Sequence, residues 1–466
     1  MIRKLALLSC LFAFSATAQT PDWPAIDAET LRHFSAVVQM DTQDPPGNET
    51  KVVEYVKKVL EAEGIPVIVS AREPARANLI ARLKGNGSKR PLLIMGHTDT
   101  VKVDPAKWKF GPFSAARDGG YIYGRGTIDD KDNMTAGMMT MILLKRLKVP
   151  LDRDVIFVAE AGEEAGTSVG IAHLVDQNWA DIQAEICLAE GGGVVRRAGE
   201  VRYALIQTVE KLPRGVELVA HGVSGHGSRP LRTNPILHLS RAVEKISMWD
   251  PPMRLSDTTR YYFEKLAGVS SPEIAARYNA LFDPAKSAAA REYLAEHEPG
   301  HYSMLHTSIS PNMISGGYQT NVIPSEARAT LDIRALPDED MTKFYELMRQ
   351  VIDDPAVEIV PNARNSRPIA PPSRIDSEAF RVIEAANRKV YNTITIPQMS
   401  TGATDMAFLR AKGVQCYGIG PMTDEEDGPK GFGAHSDQER IPEEGLYKFV
   451  RFNWEVATAL AGSVKH

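Results

Sequence analysis

The segment 154–170, DVIFVAEAGEEAGTSVG, joins an apolar run to a glycine-rich turn that carries two adjacent acids, Glu163 and Glu164. A short apolar run of this kind predicts a buried strand. Two acids at the end of a buried strand repel each other and resist desolvation, so their position requires a compensating cation or a raised pKa. A solvated turn is the alternative interpretation of the pair, and the rest of the sequence decides between the two.

Apolar runs alternate with amphipathic helical patterns on both sides of this segment. The strand-like runs include IPVIVS, ANLIARL, RPLLIMGH and EICLAE, and the helical patterns include MTAGMMTMILLKRL and VGIAHLVDQNW. This alternation predicts an α/β domain with a mostly parallel sheet that is covered by helices on both faces. The methionines of the first helical pattern are predicted to be core residues.

The pattern changes in the middle of the chain, where two-faced strands such as GVELVAHGV and EARATLDIRAL flank helical stretches. Strands with one polar face predict a small α+β domain at residues 208–365. A charged, helix-rich insertion occupies 249–300 within it. The first pattern then returns, so we predict one catalytic domain in two parts, 19–207 and 366–466, interrupted by an inserted lid or dimerisation domain.

The first 18 residues differ from the rest in composition. Arg3 and Lys4 precede an apolar segment and an Ala-Thr-Ala site, which predicts a cleaved signal peptide and a secreted, periplasmic protein. Lipid attachment through Cys10 is the alternative. No later apolar stretch is long enough to span a membrane. The net charge of -5 and the lack of basic runs argue against a nucleic-acid partner.

Only two cysteines, Cys187 and Cys416, follow the predicted signal peptide. Both lie in strand-like apolar runs, which favours buried free thiols, with a single disulfide as the alternative.

Metal-competent side chains recur at the ends of several strand-like runs besides the glutamate pair. These positions are His97 with Asp99, Asp129 with Asp130, Glu190, and His435. Each alone has an ordinary structural explanation, but ligands of an open α/β sheet gather at the carboxyl ends of its strands. Two histidines with several carboxylates suit a pair of zinc-type ions. Two cations would also explain the glutamate pair, because one acid can bind metal while the other stays free as a base.

Eight motifs follow one another along the chain: HTD, GRGTIDDK, GEEAGT, AEGG, GHGSRP, NVIP with LDIR, GATD and GAHSDQER. The series resembles the aminoacylase/carboxypeptidase family of two-zinc amidohydrolases, which includes succinyl-diaminopimelate desuccinylase, the glutamate carboxypeptidases and carboxypeptidase S. It covers residues 27–461. The glycines after Glu190 and the insertion at 249–300 resemble the carboxypeptidase S side of the family. The resemblance implies a zinc-peptidase fold and two Zn²⁺ ions, with Co²⁺ or Mn²⁺ as alternatives.

The resemblance also implies a role for each matching residue of the metal site. The ligands would be His97 and Glu190 for one ion, Glu164 and His435 for the other, and Asp129 between both. Asp99 would orient His97, and Glu163 would be the general base. Asp130 is not implied as a ligand.

The inserted domain would contribute substrate contacts. His226 matches a family histidine that reaches an active site across a dimer and polarises the substrate carbonyl. Asn321, Arg334 and the backbone near Gly402 match groups that hold a substrate carboxylate, and a guanidinium can bind a carboxylate through two hydrogen bonds. An exposed strand-end arginine is the alternative for Arg334, and we interpret His221 as a surface residue.

These features together predict a secreted two-zinc hydrolase that cleaves the amide bond of short peptides or N-acyl amino acids with a free carboxylate. A metal-bridging hydroxide would attack the carbonyl, with Glu163 as the base. A homodimer would form through the inserted domain. The alternative function is a secreted binding protein that retains a non-catalytic metal site.

Overall fold

The computed structural model describes residues 20–362 and 367–463. The predicted signal peptide, residues 1–18, and the alternative lipid site at Cys10 lie outside the described residues. Within those described ranges, no helix combines the length and the hydropathy that crossing a membrane requires.

The chain before residue 211 forms helices and most of a large sheet. Its elements are α1 Trp23–Val38, α2 Thr50–Ala62, β1 Val67–Glu73, β2 Arg76–Leu83, β3 Leu92–His97, a 3-10 turn Pro105–Lys107, β4 Ala116–Asp118, β5 Tyr121–Tyr123, α3 Lys131–Arg146, β6 Val155–Glu160, α4 Ile171–Gln177, α5 Trp179–Ile182, β7 Ile186–Ala189, β8 Gly193–Arg197 and β9 Glu200–Glu210. Helix α2 shows how the sequence specifies such an element: Val52, Val56 and Leu60 form its buried face. The chain leaves the helix through Gly64, whose φ of 67° suits glycine.

The middle of the chain forms a second, smaller sheet and most of the remaining helices. Its elements are β10 Leu212–Pro213, β11 Val216–His221, β12 Gly225–His226, α6 Pro235–Met248, α7 Asp257–Gly268, α8 Pro272–Ala280, α9 Ser287–His297, α10 Pro299–Ser303, β13 Ser308–Gly316, β14 Val322–Ile323, β15 Glu326–Ala335, α11 Met341–Ile352 and β16 Val357–Pro361.

The last part of the chain returns to the large sheet. Its elements are α12 Glu378–Tyr391, β17 Thr395–Ser400, α13 Met406–Ala411, β18 Gln415–Gly418, β19 Met422–Asp424, β20 Arg440–Pro442 and α14 Glu443–Ala461. Strands β17, β18 and β19 pair with strands from the first part of the chain, so one sheet contains strands from both ends of the described chain.

The large sheet has ten strands in the order β1-β2-β6-β3-β7-β18-β9-β8-β19, with β17 also paired to β9. Its centre, from β6 through β3 and β7 to β18, is parallel. The ladders of β17 with β9 and of β19 with β8 are parallel as well, whereas β1, β2 and β8 join through antiparallel ladders. The fold is therefore the predicted mixed α/β class with a parallel centre.

Helices cover both faces of the large sheet, as predicted. Ile94 and Phe157 point into a core that includes helices α3 and α14, while their neighbours Leu93 and Ile156 point into a second core with α4 and α13. The methionines of α3 are fully buried in the first core. Burying one such side chain contributes roughly 1.5–3 kcal/mol, so this helix is held mainly by packing.

The second sheet is antiparallel and has one covered face. Its strand order is β10-β15-β11-β16, with β13 also paired to β15. Helices α6 and α11 pack on one face through a separate hydrophobic core. Along β15 the exposure alternates, so Asp332 and Arg334 lie on the opposite, uncovered face.

Helices α7 to α10, which lie largely within the predicted insertion at 249–300, pack at the junction of the two sheets. Phe263 and Leu294 share a core with Ile396 and Met399 of β17 and with Leu336, which follows β15. The insertion therefore rests on the edge of the large sheet as well as on the end of the second one. The domain boundaries near residues 208 and 365 stay a prediction.

The two described cysteines face each other inside the large sheet. Cys187 of β7 is paired in register with Cys416 of β18. Both are buried free thiols, as predicted.

Candidate metal centre and catalytic site

The strand order of the large sheet brings the metal-competent residues to one edge. Strand β3 lies between β6 and β7, and all three are parallel. His97 ends β3, the Glu163–Glu164 turn follows β6, and Glu190 follows β7. Because the carboxyl ends of parallel strands meet at the same edge of a sheet, these side chains converge.

Asp129 and His435 come to the same edge through a small three-stranded sheet. Strand β20 pairs with β5, which places the loop before β20 beside the turn before α3. The buried Arg125 secures this arrangement, since it donates to Glu439 Oε2 at 2.6 Å and to the Ser436 carbonyl at 2.9 Å. His435 itself has a φ of 61°, an uncommon conformation for a residue other than glycine.

The two histidines meet on one carboxylate. His97 Nε2 lies 3.0 Å from Asp129 Oδ1, and His435 Nε2 lies 3.0 Å from Asp129 Oδ2. Glu190 Oε2 is 3.8 Å from His97 Nε2, while Glu164 Oε1 is 3.0 Å from His435 Nε2. The side chains therefore form two groups that share Asp129, the arrangement that the resemblance implies for a bridging ligand.

Asp99 supports both groups from beneath. Its carboxylate lies 3.5 Å from His97 Nδ1 and accepts hydrogen bonds from the backbone N–H groups of Glu163 and Glu164 at 3.2 and 3.0 Å. Burial alone would raise the pKa of Asp99, but these hydrogen bonds outweigh it and hold the pKa below its ordinary value. One buried aspartate thus fixes the first histidine and the turn of the glutamate pair.

The donor set fits divalent cations. His97 Nδ1 lies 3.1 Å from the carbonyl oxygen of Asp99, which can only accept a hydrogen bond, so Nδ1 carries a proton and Nε2 is the nitrogen that would bind a metal ion. Nε2 faces the oxygens of Asp129 and Glu190. A cluster of imidazole and carboxylate groups is stable when protons or cations lie between them. Imidazole together with carboxylate is a typical donor set for zinc-type ions.

The pKa values of the clustered side chains also favour a cation site. Burial raises the pKa of Glu163, Glu164 and Glu190 above that of an ordinary glutamate. The hydrogen bonds to Asp129 and Glu164 raise the pKa of His435 to about 10. These shifts favour the protonated forms in the protein alone, and bound cations would displace those protons.

The predicted substrate residues of the middle segment lie apart from this cluster. His226 is exposed on β12, and its Nδ1 accepts a hydrogen bond from the Ser228 backbone at 3.1 Å. Asn321 is its neighbour, because the Gly227 N–H donates to the Asn321 carbonyl at 2.8 Å. Within residues 20–362 and 367–463, no hydrogen bond or ion pair joins either side chain to the metal-competent cluster.

Arg334 and Gly402 occupy two further positions. Arg334 Nε lies 3.0 Å from Asp332 Oδ1 on the uncovered face of β15, and its side chain is 36% exposed, so the guanidinium is accessible. Gly402 follows β17, where its N–H donates to Ser400 Oγ at 3.1 Å. Neither contacts the metal-competent cluster in the part of the chain that the structure describes.

Two residues at the site were not predicted. Arg367 Nη2 donates to Glu163 Oε1 at 2.7 Å, and Arg367 Nη1 donates to Asp405 Oδ1. Asp405 is the last residue of the GATD motif, so that motif was a signal for it. Arg367 follows strand β16 in a connecting segment, and the only hint of it in the sequence was the excess of predicted buried carboxylates, which requires cations.

The turn after β6 also contains a serine pattern. GTSVG at 166–170 matches the G-x-S-x-G sequence of serine hydrolases. Among the described residues, however, no histidine forms a hydrogen bond with the Ser168 hydroxyl, and the nearby His173 bonds to Ser70 instead. In the described ranges, Ser168 therefore lacks the histidine partner that typically activates a serine nucleophile.

The profile of peptidase family M20/M25/M40 matches residues 93–458, a range that contains all the metal-competent residues described above. The chain belongs to this family. The predicted membership is thus confirmed, and with it the assignment of the M20 chain as a hydrolase of the metallopeptidase and amidohydrolase type.

Relatives and solved structures agree with the M20 assignment. The chain is 26% identical over 451 residues to human N-fatty-acyl-amino acid synthase/hydrolase PM20D1, covering 92% of this chain and 86% of the relative. Its fold is similar to that of an M20 metallo-carboxypeptidase, Sso-CP2, from Sulfolobus solfataricus, with a TM-score of 0.69 at 20% identity over 92% and 98% of the two chains.

A further solved structure bears on the metal. The YXEP protein of Bacillus subtilis, described as a dinuclear metal-binding M20 peptidase, superimposes with a TM-score of 0.60 at 14% identity over 94% of this chain and 99% of that protein. In the described part of the chain, two groups of side chains at this site could each hold a metal ion, His97 with Glu163 and Glu190, and His97 with Asp129 and Glu164.

Proposed function

We propose that the chain is a secreted dinuclear zinc hydrolase that cleaves the amide bond of N-acyl amino acids or short peptides with a free carboxylate. The observation that carries this proposal is the position of Asp129, with one oxygen 3.0 Å from each of two histidines. The names of the relatives support the substrate class, since they describe an N-fatty-acyl-amino acid hydrolase and a carboxypeptidase. The composition of residues 1–18, which predicts a signal peptide, supports secretion.

The residues of the site would have three roles in the reaction: metal binding, proton transfer and positioning. Two divalent cations held by His97, Asp129, Glu164, Glu190 and His435 would supply Lewis acidity and make a water nucleophilic at neutral pH. Glu163 lies beside this cluster and would take the proton of the attacking water. The same carboxyl would then donate a proton to the departing amine, so that one group serves as base and as acid. Asp99 keeps His97 and Glu163 in place through the hydrogen bonds described above.

The test is a hydrolysis screen on purified protein. N-acyl amino acids with short and long acyl chains and dipeptides would be supplied with zinc, cobalt or manganese, and the metal content would be measured on the same samples. We expect turnover of free-acid substrates that a chelator abolishes and added metal restores. Bound ligand without turnover on any substrate would instead support the alternative of a non-catalytic binding protein.

Arg334 leads to a prediction about the substrate carboxylate. If Arg334 and Asn321 hold that group, Arg334→Ala should lower kcat/KM for a free-acid substrate by roughly a hundredfold, because a guanidinium forms two charge-assisted hydrogen bonds with a carboxylate. An amidated substrate offers neither the charge nor the second acceptor, so the variant should handle it like the wild type. Equal cleavage of free and amidated substrates by the wild type would contradict this role.

His226 leads to a prediction about assembly. We propose that the chain forms a homodimer and that His226 acts in the active site of the partner. Two inactive variants, Glu163→Gln and His226→Ala, should then recover activity when they are refolded together, because one site of the mixed dimer has an intact Glu163 and receives an intact histidine. Each variant refolded alone is the control. Failure of a proven mixed dimer to recover activity would show that His226 does not act across subunits.

A further inference from the structure

We propose that Arg367 is the residue that positions the general base, by holding one oxygen of Glu163 and leaving the other free for proton transfer. This inference rests on the proposed function, since it concerns the base of that reaction. No motif in the sequence marks Arg367, and its role follows from four observations.

The first observation is that the segment that carries Arg367 is anchored on both sides. It connects β16 of the second sheet with α12 of the large-sheet region. The Asn362 N–H donates to the Gly215 carbonyl at 2.8 Å, and the Ser373 N–H donates to the Thr208 carbonyl at 2.8 Å. Arg214 Nη2 donates to the carbonyl of Arg367 itself at 3.2 Å. Backbone hydrogen bonds before and after Arg367, and the hydrogen bond to its own carbonyl, therefore fix its position.

The second observation is the burial of the contact. The side chains of Arg367 and Glu163 are each 10% exposed, and that of Asp405 is 1% exposed. A guanidinium that donates to two carboxylates in such surroundings is fixed in orientation as well as in charge. Removal of one partner of a buried pair leaves the other uncompensated, so the arginine is not replaceable by a neutral side chain without consequence.

The third observation is that the guanidinium has a second partner. Arg367 Nη2 donates to Glu163 Oε1 at 2.7 Å, while Arg367 Nη1 donates to Asp405, the residue before helix α13. Because two carboxylates from different parts of the chain hold the same planar guanidinium, its orientation toward Glu163 is fixed.

The fourth observation is which oxygen is held. Arg367 donates to Glu163 Oε1, and in the described ranges of the chain the structure gives Oε2 no hydrogen bond. A carboxylate fixed through one oxygen cannot rotate freely, and its second oxygen keeps a constant direction. Since displacement of a catalytic group by about 1 Å can cost on the order of a hundredfold in rate, this restraint is worth a measurable part of turnover.

The experiment compares Arg367→Ala and Arg367→Lys with Arg374→Ala, an exposed arginine of the same connecting segment that serves as the control. We expect Arg367→Ala to lower kcat by roughly a hundredfold with KM changed by less than about threefold and the metal content unchanged, because alignment of the base is lost and substrate binding is not. Arg367→Lys should recover only part of kcat, since an ammonium does not hold two carboxylates in a fixed plane.

Two further measurements distinguish a role of Arg367 in positioning Glu163 from a role in stabilising the fold alone. Guanidine at millimolar concentration should restore part of the activity of Arg367→Ala and none of that of Glu163→Gln. In the Glu163→Gln background, removal of Arg367 should cost little more, because both groups act in one step. If Arg367→Ala does not fold, Arg367→Lys carries the same test through its kcat.

The outcomes distinguish the inference from the function on which it rests. A wild-type enzyme with turnover and an Arg367→Ala variant within about twofold of its kcat would overturn the positioning role and leave the proposed function intact. A full additional loss in the Glu163→Gln background would overturn it as well. Absence of wild-type turnover on every substrate of the screen would overturn both.

Discussion

Replacement of Glu163 by glutamine is expected to lower kcat by on the order of a thousandfold or more while both metal ions stay bound. Glutamine fills the same volume and can still accept a hydrogen bond from Arg367, so the site keeps its shape. It cannot take the proton of the attacking water or return one to the departing amine. The loss should therefore fall on kcat, with a small change in KM.

Metal analysis and steady-state kinetics on one preparation check this result. Glu54→Gln, at an exposed position of α2, is the matched control and should behave like the wild type. Activity of Glu163→Gln within about tenfold of the wild type would contradict the assignment of the general base, because loss of a group that acts twice in the reaction must cost more.

Replacement of Asp129 by asparagine should have the largest effect on the metal centre. Its two oxygens face His97 and His435 at 3.0 Å each, so both ions of the proposed centre would depend on it. An amide offers one neutral oxygen in place of two anionic ones. We expect the affinity for both ions to fall by roughly a hundredfold or more, with loss of turnover that excess metal restores only partly.

Glu164→Gln provides the comparison, since Glu164 Oε1 lies 3.0 Å from His435 Nε2 and the resemblance implies that it binds one of the two ions. This variant should bind one ion with wild-type affinity and lose the other, as titration with cobalt monitored by its absorption would show. If Glu164→Gln kept both ions while Glu163→Gln lost one, the roles of the two glutamates would be reversed.

The convergence of the metal-competent side chains could be predicted from the sequence because their positions depend on local rules, while their roles as metal ligands stay a prediction. His97, Glu163, Glu164 and Glu190 each follow a strand-like apolar run, and parallel strands deliver such positions to one edge of a sheet. Their exact pairing could not be predicted in this way. The contact of Asp129 with two histidines depends on the position of the loop before β20. That loop is held by the ion pair of Arg125 with Glu439, two residues that are 314 positions apart in the sequence.

The residues that the sequence did not reveal are those whose role depends on tertiary contacts alone. Arg367 and Glu163 are 204 positions apart, and the arginine stands in a segment without periodicity. The helices of the 249–300 insertion were predicted, but their place was not. Aromatic side chains such as Phe263 suit any apolar surface, and only the packing on β17 shows which surface they cover.

The order of the strands in the large sheet has a consequence for synthesis of the protein. Strands β17, β18 and β19 enter that sheet after the whole second sheet has been made, and α14 packs on α3 from more than 300 positions further along. The Asp152 N–H even donates to the carbonyl of Ala461 at 2.8 Å. Contacts of such long range form late and slowly. The large sheet and its core therefore stay incomplete until α14 has been made, and a chain that stops before α14 is expected to be exposed to proteolysis and aggregation.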